Sequence, residues 1–465
     1  MTKRGFALAG CLALAAGRLA AQDGLPAEMR GGIDSLVREA LARTGTPSAS
    51  IAVVRDGRVA YLAAYGSARL APVTPAATGM RYSIGSISKQ FTATAVLLLA
   101  EAGKLSLDDK VSKWLPELTR AGEVSVRQLL SMTSGYQDYW PQDYVMPGML
   151  KPTTARQILA EWAQKPLDFE PGSRWQYSNT NYVIAGLIVE KASGTPLLEF
   201  LRQRIFAPLG MQSVADIDAA ALGGSDPTGY MRYALAAPRP APKEAPGWLF
   251  AAGELAMTAG DLAKWDIAML DRKVLQPASY RTMQGDVQLS NGLGTGYGLG
   301  VNVGMAGGHR VVAHGGEVSG FTARNAVYPD DRAAVVVLTN LDATGASGQI
   351  AGRIATLLFA STDAETRKAT EQARAIFDGL QHGRIDRSLF SPNCNAYFSA
   401  EALSDFAASL GPLGSPQEFV PTGQGLRGGM TFRSFRIRAG QRLLSLTTFT
   451  LPDGKLEQYQ IAGAD

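Results

Sequence analysis

Ser86-Ile87-Ser88-Lys89-Gln90-Phe91-Thr92-Ala93-Thr94-Ala95-Val96-Leu97-Leu98-Leu99 joins a serine and a lysine, three positions apart, to a segment that is apolar almost all round. That is the pattern of a helix buried in a core. Such a helix, running from Ser88 to about Ala102, places Ser86 at its N-terminus and Lys89 one turn on, on the same face. Burial and the positive end of the helix dipole both disfavour an ammonium, so Lys89 can become neutral enough to take the Ser86 proton. The motif alone is a weak signal, because a chain of this size yields roughly one S-x-x-K by chance. The competing reading is an N-cap serine followed by a snorkelling lysine.

Composition narrows the field around this motif. The 465 residues are 46% hydrophobic and 18% charged, enough for a large core and one to three domains. Forty-five basic against 41 acidic residues leave +4, too even a balance to imply nucleic acid or an anionic membrane surface. The two cysteines, Cys11 and Cys394, exclude a disulfide framework or a Cys-rich metal site. The three histidines, His309, His314 and His382, are not at metal-ligand spacing, so neither metal nor other cofactor is expected.

At the N-terminus, Lys3 and Arg4 precede an apolar run from Phe6 to Ala16, and Leu19-Ala20-Ala21 offers small residues at a cleavage position. This reads as a secretory signal peptide over residues 1–21, and so as export to the periplasm or medium without a transmembrane anchor. Leu8-Ala9-Gly10-Cys11 resembles a lipobox, but the apolar stretch before it is short for such a signal, so a lipoprotein is the lesser reading. Cleavage after Ala21 removes Lys3, Arg4 and Arg18 and leaves 42 basic against 41 acidic residues, or +1.

Downstream, Ile33, Leu36, Val37, Ala40 and Leu41 mark a first helix, closed by Gly45 and Pro47. Asp56-Gly57 joins β-rich runs at 51–55 and 59–65 as a hairpin. Further strands are expected at 298–303, 310–314, 321–328 and 333–340, before a helix at 347–360. Helices are expected at 181–192 and 197–206, and four prolines from Pro238 to Pro246 mark a surface loop. Strands at both ends around a helical middle imply an α/β (α+β) fold, one antiparallel sheet flanked by helices with a helical insertion. Residues 22–362 form this domain. After about Thr362 two helical stripes and four β-like segments read as a separate small α+β domain, 363–465. Arg433, Arg436 and Arg438 on one of its strands read as a solvated face.

A serine nucleophile needs a base, an oxyanion hole and a substrate clamp. No Gly-x-Ser-x-Gly occurs, which argues against an α/β-hydrolase elbow. Tyr177-Ser178-Asn179 can present a phenol and an amide from a loop, although an ordinary capping turn reads the same way. His314-Gly315-Gly316 ends a strand, where paired glycines admit a close backbone.

In this order, S-x-x-K, Y-x-N and H-x-G, the chain resembles the class C β-lactamase-related serine hydrolases, which include penicillin-binding proteins, D-aminopeptidases and carboxylesterases. Segments 104–109, 129–135 and 206–211, and Ala252-Gly253 with Asp261-Leu262, carry the same likeness, over about residues 30–360. The resemblance implies a β-lactamase/transpeptidase-like fold. It also implies that Ser86 is acylated, that Lys89 and Tyr177 share its proton, and that Asn179 holds the substrate amide. The oxyanion hole would be the N–H groups of Ser86 and Glu317, with His314, Gly315 and Gly316 binding substrate. Penicillin-recognising members carry Lys-Thr-Gly at the third motif; His314 and Gly315 here offer little charge and no hydroxyl.

The expected activity is thus an exported hydrolase of small-molecule or peptide substrates, a D-amino-acid peptide, amide or ester. A β-lactamase, or a catalytically weak penicillin- or peptide-binding receptor, are the alternatives. Tyr136, Tyr139, Trp140 and Tyr144 are candidates for an apolar wall at the entrance. The C-terminal domain resembles NTF2-like α+β cones that often follow such hydrolases.

Overall fold

A computed structural model describes residues 24–360 and 364–463. The expected signal peptide, with Cys11, lies outside the described residues. Helix α1 (Ala27–Thr44) closes on Gly45, whose φ of 68° is the left-handed C-cap that glycine favours. It leads into β1 (Ser48–Arg55) and β2 (Arg58–Leu70), joined by Asp56 and Gly57, both at positive φ. β3 (Val73–Pro75) follows at the sheet edge. The other strands of the same sheet come over 200 residues later: β4 (Asn302–Ala306), β5 (His309–Val318), β6 (Phe321–Tyr328) and β7 (Ala333–Thr339).

These make a seven-stranded sheet in the order β3-β2-β1-β7-β6-β5-β4, each neighbouring pair antiparallel. The N-terminal hairpin thus pairs with the last strand, Ile51 opposite Val337. Both central strands are buried on both faces, which is why they read as unbroken Val, Ala and Ile runs. α1 and α5 (Ala346–Ala360) cover one face through Val37, Leu41, Ile350 and Ile354. The helical insertion covers the other.

In that insertion α2 (Ser88–Glu101) is buried from Ser88 to Leu99. Fully burying a side chain such as Phe91 or Leu97 contributes up to about 1.5–3 kcal/mol, so packing rather than propensity holds this helix. α3 (Asn179–Ser193) packs against it, and α4 (Ala259–Leu270) brings Trp265 onto Phe91 at 4.8 Å between rings.

Three sequence expectations shift. The strand expected at 298–303 begins only at Asn302, because Gly298 and Gly300 form a turn. Gly300, at φ 76°, lies so close to α2 that an added Cβ would stand 2.9 Å from the Lys89 carbonyl oxygen. The helix expected at 181–192 starts at Asn179, and that at 197–206 is α-helical only to Leu201 before it widens to a π-turn.

Beyond the insertion-bearing sheet, α6 (Ala364–Leu380) and α7 (Ala400–Leu410) pack with a four-stranded antiparallel meander. Its strands are β8 (Glu418–Arg427), β9 (Met430–Ala439), β10 (Arg442–Thr450) and β11 (Leu456–Gly463). Phe377, Phe390, Phe435, Leu446 and Tyr459 fill a core of its own. The three arginines of β9 do not form one solvated face. Arg433 is buried beside Gln424 and Glu365, whereas Arg436 and Arg438 pair with Glu418. Strand alternation separates odd from even positions. Among the described residues no helix is long and apolar enough to cross a membrane.

Candidate active site

Ser86 sits in a single 3₁₀ turn, Gly85–Ile87, that runs straight into α2. Lys89, fully buried, directs its amine at three oxygens, each 2.8 Å away: Ser86 Oγ, Asn179 Oδ1 and the Ala252 carbonyl. Burial lowers the lysine pKa to about 7, against the pull of the Asp138 carboxylate. An amine half deprotonated at neutral pH, in hydrogen-bond reach of a serine hydroxyl, is a competent proton acceptor.

Tyr177 lines the same cleft as Ser86 and hydrogen-bonds its side chain. Ser178 between Tyr177 and Asn179 is extended (φ −151°, ψ 118°), so the outer two side chains project to one side, which is the physical content of Y-x-N. Burial drives the Tyr177 pKa upward, well away from Lys89. Tyr177 is therefore a neutral phenol that can relay a proton, while Lys89 is the group poised to accept one. The Lys89 amine lies 5.0 Å over the Tyr177 ring.

β5 supplies the opposite wall. β4 pairs with it only as far as Ala313, so residues 314–318 present a free strand edge on that side. Gly316 makes the close approach possible: an added Cβ would stand 1.9 Å from the Ile84 carbonyl oxygen and 3.3 Å from the Ser86 nitrogen. Gly85, at φ 50°, meets the Glu317 nitrogen in the same way at 2.7 Å. Two glycines thereby bring the N–H groups of Ser86 and Glu317 to one small region. The Glu317 side chain turns aside to accept the N–H of Ala343.

His314 does not reach the cleft wall. It is 3% exposed, with Nε2 3.0 Å from the Tyr297 hydroxyl and Nδ1 2.5 Å from the Gly315 carbonyl. Burial, Lys89 and Arg324 lower its pKa to about 3. The ring is neutral, with both nitrogens committed inside the protein. Gly315, Gly316 and Glu317 do line the cleft.

The cleft measures about 610 Å³. Of the four aromatics expected at its entrance, Tyr139, Trp140 and Tyr144 line it, while Tyr136 is buried and donates to the Thr119 carbonyl. Sequence reading missed Asp138. This half-buried cleft residue accepts the Asn179 N–H (2.9 Å) and amide Nδ2 (3.3 Å). Its signal was an acid set between Tyr136 and Tyr139-Trp140, in the aromatic stretch after Ser134-Gly135. Glu254 was also missed; it braces the Ala251–Ala252 turn by accepting the Ala251 N–H at 2.6 Å, and burial raises its pKa to about 8.

The sheet flanked by helices is the β-lactamase/transpeptidase-like fold. The chain belongs to the Beta-lactamase family, whose pattern matches residues 33–358. It is similar to a D-aminopeptidase of Brucella anthropi, 29% identical over 340 residues, covering 72% of this chain and 64% of the relative; the match thus spans under two thirds of that protein. Among solved structures, a D-stereospecific amidohydrolase from Streptomyces sp. aligns with a TM-score of 0.61 at 30% identity, covering 69% of this chain and 96% of the other. An octameric penicillin-binding protein homologue from Pyrococcus abyssi shares the fold over 93% of this chain and 99% of its own, with a TM-score of 0.63 at 22% identity.

Proposed function

We propose that this chain is an exported serine hydrolase that cleaves an amide or ester bond through an acyl-enzyme on Ser86, with no cofactor. The 2.8 Å contact between Ser86 Oγ and the buried Lys89 amine carries the reading. Lys89 takes the proton as Oγ attacks the carbonyl. The oxyanion that forms accepts hydrogen bonds from the N–H groups of Ser86 and Glu317, and Asn179 holds the substrate amide. Tyr177 passes the proton to the departing amine or alcohol, leaving an ester on Ser86. Water then attacks that ester, giving a carboxylic acid and restoring the serine.

The likeness to a D-aminopeptidase and to a D-stereospecific amidohydrolase favours a D-peptidase or amidase. A buried neutral His314, in place of a lysine ammonium, speaks against efficient β-lactam hydrolysis. Residues 22–362 are assigned to this activity and residues 363–465 to a separate unit.

Treating the mature protein with a fluorophosphonate tests the reading. A single adduct on Ser86 by intact mass, absent from Ser86→Ala, together with turnover of D-amino-acid amides or p-nitrophenyl esters, is expected. No adduct, or equal ester turnover by Ser86→Ala, would reduce the chain to a receptor. Rapid turnover of a chromogenic cephalosporin would make it a β-lactamase.

A further inference from the structure

Lys89 meets three oxygens, and they are not equivalent. Asn179 Oδ1 and the Ala252 carbonyl oxygen can only accept a hydrogen bond, whereas the Ser86 hydroxyl can also donate one. A neutral amine has two N–H bonds and one lone pair. Directing both N–H bonds at the pure acceptors leaves the lone pair facing Ser86 Oγ, the one neighbour of the three with a proton to give. The base is thus aimed by its other two contacts. Asp138 holds the first of them by accepting from the Asn179 side-chain amide.

A separate device holds the second. Ala252 follows Ala251, a non-glycine residue at φ 59°, in the left-handed region that a side chain disfavours. Such a backbone persists only where its surroundings over-determine it. Here buried side chains take both polar groups of Ala251: Glu254 Oε2 accepts its N–H at 2.6 Å, and the Thr92 hydroxyl donates to its carbonyl at 2.8 Å. Gly186 on α3 gives the Ala251 methyl its room, since a Cβ added at Gly186 would stand 2.5 Å from it. Thr92 lies on α2 three positions after Lys89, so the helix that carries the lysine also anchors the turn that receives its N–H. Ala252 lines the cleft, whereas Thr92 and Glu254 stand behind it and reach the amine only through this backbone.

We propose that Glu254 and Thr92 are positioning residues: through the Ala251 turn they hold the Ala252 carbonyl as the acceptor that turns the Lys89 lone pair to Ser86. This rests on the reading of Ser86 as nucleophile and Lys89 as its base, and deepens it.

Fluorophosphonate labelling of the full chain, followed against pH, tests the clamp. Glu254→Met and Thr92→Val should each slow labelling of Ser86 about tenfold at high pH, the effect of one lost hydrogen bond. Each should also move the acid limb to lower pH, because the ammonium form of Lys89 loses an acceptor. The titratable groups around the amine, Asp138, Tyr177, Tyr182 and His314, are the same in every variant. Glu254→Gln, whose amide oxygen can accept the same N–H, should stay within about twofold of the parent with its limb unmoved. Thr92→Val keeps the shape of the side chain and preserves the test if Glu254→Met does not fold. Parent rates with an unmoved limb in Glu254→Met and Thr92→Val overturn the proposal. So does a Glu254→Gln variant as slow as Glu254→Met, which would assign the effect to charge. Titration of Lys89 by NMR of lysine-labelled Ser86→Ala protein needs no nucleophile, and adding Glu254→Met should move it to lower pH. An unmoved Lys89 titration overturns the clamp alone, whereas a parent chain that takes no label overturns the reading of Ser86.

Discussion

Asp138 grips Asn179 at two points, by the backbone N–H at 2.9 Å and the side-chain amide at 3.3 Å, and so turns Asn179 Oδ1 toward the Lys89 amine 2.8 Å away. Asp138 is a positioning residue, and its charge also holds the Lys89 pKa up. Asp138→Asn should lower kcat by about tenfold, the effect of one misplaced hydrogen bond. It should also move the acid limb of the pH–rate profile to lower pH. An unmoved acid limb would make the residue merely structural.

Lys89 provides the sharpest pH test. Burial places its pKa at about 7, below the ordinary 10.5, and only the neutral amine can take the serine proton. The value of kcat/KM should therefore climb as pH rises through about 7. Lys89→Met should lose about 10²- to 10⁴-fold in acylation rate, the usual worth of a general base. Its melting temperature at pH 7 should match or exceed the parent's, because a buried amine that resists protonation destabilises the native state there. Rapid labelling of Lys89→Met would exclude the lysine as base.

Neighbouring glycines of β5 should respond very differently to alanine. At Gly316 the new methyl meets the Ile84 carbonyl oxygen at 1.9 Å, whereas at Gly315 the nearest atoms are 3.9 Å away. Gly316→Ala should push the strand off the Ser86 turn, with a loss of about 10²- to 10³-fold in kcat and about 1–3 kcal/mol of stability. Gly315→Ala should fold with the parent's melting temperature. Similar melting curves for both variants would contradict the close approach.

Asp266 is fully buried, accepts a 2.5 Å hydrogen bond at Oδ1 from the Asn325 amide, and leaves Oδ2 without a partner. Burial raises its pKa from 3.8 to about 8. The folded state therefore holds a proton that the unfolded state releases, and stability falls as pH rises from about 4 through about 8. Asp266→Asn, neutral at every pH, should remove that part of the slope. Denaturant titrations at pH 5 and 9 check it: the variant should gain on the parent by about 1 kcal/mol or more at the higher pH. Parallel pH slopes would refute the assignment.

Much of this molecule is local enough to read in one dimension. The run after Ser86 is apolar on every side, and it is indeed a core helix. Asp56-Gly57 between β-rich runs is indeed a hairpin. Where reading failed, the deciding contact lay far along the chain. Gly298 and Gly300 look like part of a strand, yet each is fixed by a backbone it touches, that of Met283 and that of Lys89. His314 could not reveal that Tyr297 and the next carbonyl would claim both its nitrogens. Asp138 carries an ordinary surface charge in sequence; only its contact with the turn at Asn179 brings it into the cleft.

The strand order has a consequence for how the molecule comes into being. β1 finds its partner in β7, so Ser48 waits for Asn340, 292 positions away, before the sheet can close. Contacts of such sequence separation slow folding, since the loop must be ordered before it is rewarded. A growing chain makes the Ser86 helix early, but the strand edge facing it exists only after some 230 more residues, near the end of the domain. A chain that ends before β7 therefore lacks the strand that joins the N-terminal hairpin to β6 and β5, and the cleft around Ser86 is assembled only by completion of the sheet itself.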